Sequence, residues 1–348
     1  MKTKTLLTRF IAGLAVSALL VFAAATLIPD TSPKKTLFEE ITGISHNTVI
    51  ATVKNQPITW EEFLYLVAYD GDSLAQYIEQ MGWDADVGGT TLREYIKADA
   101  LEACKLYAVV RQYAKYCDIE LTAEDKADQR AYEQQLIAQL GGDESFRRQM
   151  YLTGLSDEGR RGIDSMDYLY THLVEYAAQP GGKLRPDDQT LSEYAEASGF
   201  VSLKVLYLPA ETENSEATMA GYLETLRTSA DPAADFAAIC AELGLDDAPL
   251  LIKLDEVDVF FAQAADALEA GQFSDVLTLE AGHYVIWRLD TDMDTVAGYF
   301  FGDTLSTAVS GAQVEPVGNV LESFDAAAFY TRLSELRSAM AASLNTVG

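Results

Sequence analysis

The hydrophobic and polar residues of this chain follow four successive patterns. Residues 10–28 contain no charge, residues 48–59 alternate with the two-residue period of a strand, and the region up to about residue 198 repeats apolar residues at spacings of three and four. From Val201 onward, short apolar runs alternate with amphipathic stretches. The pattern predicts an apolar N-terminal segment, a largely helical region and a mixed region of strands and helices.

The alternating stretch TVIATVKNQPIT predicts a β-hairpin over residues 48–59, with KNQP as its turn. Thr59 is the expected N-cap of a helix that begins at Trp60. Glu62 stands at the third helical position, where it is expected to complete a capping box with Thr59.

Several helices are predicted after the hairpin. The sequence TLRE is expected to form another capping box, between Thr91 and Glu94, and it opens a long helix that reaches about Cys117. Thr122 caps the next helix. Further helices follow until AAQPGGKLRP interrupts the pattern at residues 177–186. One face of the long helix carries apolar residues at alternating spacings of three and four: Leu92, Ile96, Ala103, Leu106, Val110, Tyr113 and Cys117.

The mixed region predicts a small α+β domain over residues 200–290. VSLKVLYLP is a predicted first strand, three helices follow, and AGHYVIWRLD is a predicted last strand. The order is therefore β-α-α-α-β. Residues 291–348 form a C-terminal segment with one amphipathic helix at 325–343, which is expected to pack back onto the helical region 48–198.

The N-terminus predicts contact with a membrane. Lys2, Lys4 and Arg9 precede the uncharged residues 10–28, and this positive side stays in the cytoplasm, so the rest of the chain is expected outside the cell membrane. Residues 1–29 are either an uncleaved anchor or a signal peptide cut at the small residues Ala23–Ala25. Residues 30–47 are expected to form a tether, and the protein is then either anchored or secreted.

The net charge and the small number of cysteines and histidines exclude some classes of partner and ligand. The chain carries 54 acidic and 25 basic residues and a net charge of −29, which excludes a nucleic-acid partner because phosphate binding needs a basic surface. This charge favours either solubility or selectivity for basic or unfolded partners. With three cysteines and three histidines in no ligand spacing, neither a metal site nor another cofactor is expected.

Several of these stretches together resemble a known family. IATVKNQPITWEEF is similar to the opening of the extracytoplasmic foldases of the PrsA/SurA group, and DDQTLSEYAEASGFVSLKVLYL resembles their join into a parvulin-type peptidyl-prolyl isomerase domain. ADFAAICAELG and FAQAADALEAGQFSDVL, followed by AGHYVIWRL, are similar to the rest of that domain. The resemblance covers about residues 48–290. It implies an α+β fold in which a helical chaperone domain is interrupted by a parvulin-like domain.

The resemblance assigns the family's site positions one by one. Lys204 and Tyr284 stand where the family places its two histidines, and Asp246 stands at the position of its acidic or cysteine residue. Phe261 and Val257 stand where the family binds the proline ring. His283 lies one residue too early and is expected to point away from the face of Tyr284. Lys204 and Asp246 are expected to pair, either across the site or as a structural salt bridge.

The implied function is a folding factor that binds unfolded, newly secreted polypeptides. Because neither Lys204 nor Tyr284 replaces an imidazole, isomerase activity is expected to be weak or absent. The alternative is a non-enzymatic envelope adaptor with one fixed protein partner. No hydrolase motif or phosphate-binding loop is present. Tyrosines suited to binding many partners, or to ordinary packing, are frequent in the helical region: Tyr65, Tyr69, Tyr77, Tyr95, Tyr107, Tyr113, Tyr132, Tyr151, Tyr168 and Tyr170.

Overall fold

The computed structural model describes residues 35–345. The predicted signal peptide or anchor at 1–29 lies outside these residues. No helix within residues 35–345 combines the length and apolar character that a bilayer crossing requires.

Helices and antiparallel strands alternate irregularly along the chain, and the predicted α+β class is confirmed. The first half contains α1 (Leu37–Thr42), β1 (Val49–Val53), β2 (Gln56–Thr59), α2 (Trp60–Ser73), α3 (Ala75–Met81), α4 (Leu92–Tyr116), α5 (Ala123–Gln139), α6 (Asp143–Thr153) and α7 (Asp157–Ala178). The second half contains α8 (Asp188–Ala197), β3 (Phe200–Pro209), α9 (Ser215–Thr228), α10 (Pro232–Leu243), β4 (Leu250–Lys253), α11 (Val259–Asp266), β5 (Leu277–Leu279), β6 (Gly282–Leu289), α12 (Met293–Gly311), β7 (Glu315–Pro316), α13 (Val320–Ser323) and α14 (Ala326–Asn345).

The chain divides into two compact units. The first contains residues up to Leu173 together with residues from Asp303 onward, and the second contains Val174–Gly302. The second unit is therefore longer than the 200–290 segment that the sequence indicated. It includes α8, because Leu191 and Ala195 of that helix pack against Phe200 at the start of β3.

The predicted hairpin is present in the first unit. β1 and β2 pair in antiparallel fashion, and Lys54 and Asn55 both have positive φ values, as a tight hairpin turn requires. β7 pairs with the other edge of β1 and completes a three-stranded sheet with the order β2-β1-β7. The sequence pattern did not indicate β7, since only two residues take part.

The threonine N-caps of the first unit follow the sequence, but the capping box expected between Thr91 and Glu94 does not form. Thr59, Thr91 and Thr122 each accept a hydrogen bond from the backbone N–H three residues later. The capping box predicted for Glu62 is wrong, because its buried carboxylate accepts a hydrogen bond from the guanidinium of Arg111 at 3.1 Å instead.

The expected tether at residues 30–47 contains helix α1, and that part of the prediction is wrong. Thr36 forms a capping box with Glu39, and Leu37 and Phe38 are fully buried. The ring of Phe38 contacts that of Phe329 in α14, with 5.4 Å between the centroids. Two buried residues are too few to produce a periodic pattern, so their burial was not visible in the sequence.

Helix α14 belongs to the same unit and packs against α1, α2 and α4. An aromatic cluster joins the two ends of the unit: Phe324 contacts Trp60 at 5.2 Å and Phe63 at 5.3 Å between ring centroids. Tyr330 donates a hydrogen bond to Asp72 at 2.8 Å. The C-terminal segment therefore contributes both core and polar contacts to this unit.

The second unit is built on a four-stranded antiparallel sheet with the order β4-β3-β6-β5. The sequence predicted β3 and β6 but missed β4, whose four residues are half exposed and pair only along the edge of β3. Helices α9 and α10 cover one face of the sheet through a cluster that includes Leu206, Phe236 and Val285. Helix α11 packs on the other face through Ala265, against Leu203 and Ile286.

Candidate functional site

The pairing of β3 with β6 decides which side chains share a face of the sheet. In an antiparallel pair, directly opposed residues point to the same side and successive residues alternate between sides. Tyr207 is opposite Tyr284, and Lys204 is opposite Trp287. Tyr207 is three positions after Lys204, an odd number, so their side chains point to opposite faces of β3. Because Tyr284 shares the face of Tyr207, Lys204 and Tyr284 lie on opposite faces of the sheet.

Three aromatic rings meet where α11 covers the sheet, and we call them the aromatic site. Tyr207 and Tyr284 belong to the sheet, and Phe261 belongs to α11. The ring centroids of Tyr207 and Tyr284 are 4.9 Å apart, and Phe261 meets Tyr284 edge-on at 6.0 Å. The hydroxyl of Tyr207 donates to the backbone carbonyl of Ala281 at 3.0 Å, which fixes the orientation of that ring. The three rings form a group with tilted and edge-to-face contacts, which are the geometries that aromatic pairs prefer.

The position of Phe261 is set by the start of α11. Asp258 is the N-cap, and its carboxylate accepts hydrogen bonds from the backbone N–H groups of Phe260 at 2.9 Å and Phe261 at 3.2 Å. Val259 and Phe260 in the first turn are 58% and 64% exposed. Val257 lies in extended backbone immediately before this cap and is half-buried. The first turn of α11 therefore presents apolar surface to solvent beside the aromatic site.

The hydroxyl of Tyr284 remains protonated at neutral pH. Burial raises the pKa of Tyr284, and the neighbouring Tyr207 and the carboxylate of Asp258 raise it further. The aromatic site therefore offers the hydroxyl of Tyr284 as a donor, at a position where the family that the sequence resembles places a histidine.

Lys204 lies on the α9/α10 face in a partly buried position, with its side chain 15% exposed. Its ammonium is 3.6 Å from a carboxylate oxygen of Asp247 and lies 5.6 Å and 5.9 Å from the ring centroids of Phe236 and Trp287. Asp246, the expected partner, is exposed, and its carboxylate accepts a hydrogen bond from the backbone N–H of Ala248. The ion pair is therefore made with the next residue, and it combines with cation–π contacts to anchor the end of α10 to the sheet.

His283 points away from the face of Tyr284, as predicted from its offset of one residue. It is buried opposite Leu208, and its Nδ1 lies 3.0 Å from the hydroxyl of Thr278. Lys204 shares this face but is four residues further along β3 from Leu208, which corresponds to about 13 Å. The histidine is a packing residue with one hydrogen-bond partner.

Sequence reasoning missed Tyr207, the third ring of the site. Its position three residues after Lys204 places it on the other face of β3, but only the register with β6 brings it beside Tyr284. Within residues 35–345, no cluster of histidine, cysteine and acidic side chains has the geometry of a metal site, and all three cysteines are buried thiols.

Comparisons with known proteins gave structural likenesses alone. No family model and no curated protein matches the sequence. The chain is similar to the foldase protein PrsA from Lactococcus lactis, with 15% identity, 82% of this chain and 99% of that chain covered, and a TM-score of 0.31. It is also similar to PrsA from Bacillus subtilis, with 13% identity, coverage of 76% and 91%, and a TM-score of 0.28.

The chain is also similar to a structure described as PEB4 and Cj1289, two SurA-like chaperones of Campylobacter jejuni. The identity is 13%, the coverage is 78% of this chain and 100% of that chain, and the TM-score is 0.24. At these TM-scores the likenesses carry no argument about function.

Proposed function

We propose that this protein is an extracytoplasmic folding factor that binds unfolded polypeptides. Its aromatic site holds apolar or proline-containing segments, and its isomerase activity is weak or absent. The observation that carries the proposal is the group formed by Tyr207, Phe261 and Tyr284, next to the exposed side chains of Val259 and Phe260. The orientation of the N-terminal segment, with its cations before residues 10–28, supports a location outside the cell membrane.

The rings suit binding of a flexible polypeptide. Tyrosine and phenylalanine provide large apolar contact areas with few rotatable bonds, and the tyrosine hydroxyls stay hydrated or bind backbone carbonyls. Exposed apolar residues at one place on a surface are typical of a protein-binding site. Neither feature demands one particular sequence in the ligand, which favours a general folding factor over an adaptor with one partner.

The same geometry argues against efficient prolyl isomerisation. Rotation about the amide bond has a barrier of about 18–20 kcal/mol, and catalysis requires groups that bind the twisted amide more strongly than the planar one. Lys204 and Tyr284 cannot act on the same amide, because the sheet lies between their side chains. The ion pair with Asp247 also engages the ammonium of Lys204.

Peptide binding at the aromatic site is expected to depend on the ring of Tyr284. Tyr284→Ala is expected to weaken binding of a fluorescent proline-containing apolar peptide about tenfold or more, because it removes the central ring of the group. Fluorescence anisotropy with the full chain measures this. Tyr132→Ala is the matched control, since that ring is 48% exposed and lies in the first unit. Equal affinity for all three proteins would contradict the proposed site.

The same variants separate binding from the folding function. The wild-type chain is expected to suppress aggregation of an unfolded protein at stoichiometric excess, and Tyr284→Ala is expected to suppress it less. A pull-down from secreted proteins should return many polypeptides. A single stable partner would support the adaptor function instead.

The second prediction concerns isomerisation. The double variant Lys204→His with Tyr284→His is expected to show no parvulin-like turnover in a protease-coupled proline-peptide assay, because the two new imidazoles would remain on opposite faces of the sheet. Turnover in the double variant, absent from both single variants, would show that the two positions share one site and would refute this arrangement.

A further inference from the structure

A cleft in the first unit stands out by its charge. It has a volume of about 650 Å³, which is within the range of small-ligand sites, and it lies between α4, the loop after it, α5 and α7. Four basic side chains line it, against two carboxylates, in a chain whose net charge is −29. The basic residues are Arg111, Lys115, Lys126 and Arg161, and the acidic ones are Asp118 and Glu120.

Helical spacing brings these residues to one place. α4 contributes Arg111 and Lys115, which are four residues apart and therefore on one face. α7 contributes Arg161, Ser165 and Leu169, again at intervals of four. The three helices thus place their cations around a common floor.

The cations differ in how far they are already neutralised. Arg111 is bound to the carboxylate of Glu62 and to the carbonyl of Pro57, both at 3.1 Å, and forms a fixed wall. Lys115, Lys126 and Arg161 are exposed, and within residues 35–345 none of them makes an ion pair. Three cations therefore remain available to a ligand.

The floor of the cleft is apolar. Ala114 and Leu169 are buried, and Ile119 and Leu121 are half-buried beside them. The amide of Gln129 donates to the hydroxyl of Ser165 at 3.4 Å, which leaves further polar capacity on the wall. A ligand that matches both features combines anionic groups with an aliphatic group.

We infer that this cleft binds a short acidic polypeptide segment, in which carboxylates pair with Lys115, Lys126 and Arg161 while an aliphatic side chain rests on the floor. A polyphosphate chain fits less well, because it has no apolar group to rest on the floor of Ala114, Ile119, Leu121 and Leu169. A flat anionic bilayer cannot reach the floor of a concave site. The inference does not require the proline-binding role of the second unit.

The test measures binding of a fluorescein-labelled peptide with a Glu-Leu-Glu centre by anisotropy, using the full chain. The double variant Lys115→Gln with Lys126→Gln is expected to bind about tenfold more weakly than the wild type. Arg161→Gln alone should weaken binding by a factor of about three. A Gln-Leu-Gln peptide should bind weakly to every protein.

The matched control is Arg130→Gln with Arg147→Gln. Both arginines are exposed, lie in the same unit outside the cleft and give the same change in net charge. Its affinity for the acidic peptide should equal that of the wild type. An equal loss in the control, or absence of binding by the wild type, would overturn the inference. So would lysine-dependent binding of phosphatidylserine vesicles without binding of the peptide. In each of these cases, binding of the proline-containing peptide at the aromatic site is measured as well. If that binding is retained, the cleft inference fails while the proposed function stands.

Discussion

Replacement of Phe329 by alanine is expected to lower the free energy of unfolding of the first unit by about 3–5 kcal/mol. The side chain is 4% exposed, and its ring contacts Phe38 of α1 and Phe324, with centroid distances of 5.4 and 5.7 Å. Removal of the ring leaves a cavity between elements from both ends of the chain. Urea unfolding followed by tryptophan fluorescence measures the loss, since Trp60 and Trp83 lie in this unit.

Phe260→Ala is the matched control for this prediction. It removes the same atoms from a ring that is 64% exposed, so its effect on stability is expected to stay within about 0.5 kcal/mol. If Phe329→Ala shifted the unfolding midpoint no more than Phe260→Ala, the packing of α14 against the N-terminal elements would not contribute to stability as the contacts imply.

The importance of this contact is that it joins residues distant in sequence. β7 pairs with β1, Phe324 contacts Trp60 and Phe63, and Arg337 forms an ion pair with Asp72 at 3.0 Å. The segment after Asp303 therefore completes the sheet and the core of a unit that begins near the N-terminus. A fragment that ends before residue 303 would expose this core, and we expect it to fold poorly.

Local signals predicted the helix boundaries well, because a cap depends on residues only three positions apart. The three threonine caps are examples. Glu62 shows the limit of such reasoning: its carboxylate was free to bind the backbone of Thr59, but Arg111, far away in the sequence, offers a charge-assisted hydrogen bond. Long-range partners compete with local ones, and a single sequence does not reveal which partner wins.

The aromatic site was partly predictable for a related reason. Phe261 stands in a recognisable motif at the start of α11, and Tyr284 follows a glycine at the start of β6. Whether Lys204 and Tyr284 share a face depends on the register between two strands that are separated by more than seventy residues. A shift of one residue would bring Lys204 and Tyr284 to the same face, and no local feature of β3 fixes that register.

Gly282, where β6 begins, is expected to be the most sensitive glycine of the second unit. Its φ is +157°, and a Cβ at this position would collide with the backbone carbonyl oxygen of Leu208 and lie 2.9 Å from the ring of Tyr207. Because a carbonyl in a paired strand cannot rotate away, Gly282→Ala must displace β6 relative to β3. We expect the free energy of unfolding to fall by about 2–3 kcal/mol, as for other overpacked sites.

The displacement should also reach the aromatic site, since Tyr207 is held by the carbonyl of Ala281 and Tyr284 lies two residues after Gly282. Gly282→Ala is therefore expected to lose stability and affinity for the proline-containing peptide together, measured by urea unfolding and anisotropy. Gly221→Ala, in the interior of α9 with open space around it, should instead be neutral or stabilise by up to about 1 kcal/mol and bind normally. If both variants kept wild-type affinity while only Gly282→Ala lost stability, the aromatic site would not depend on the start of β6.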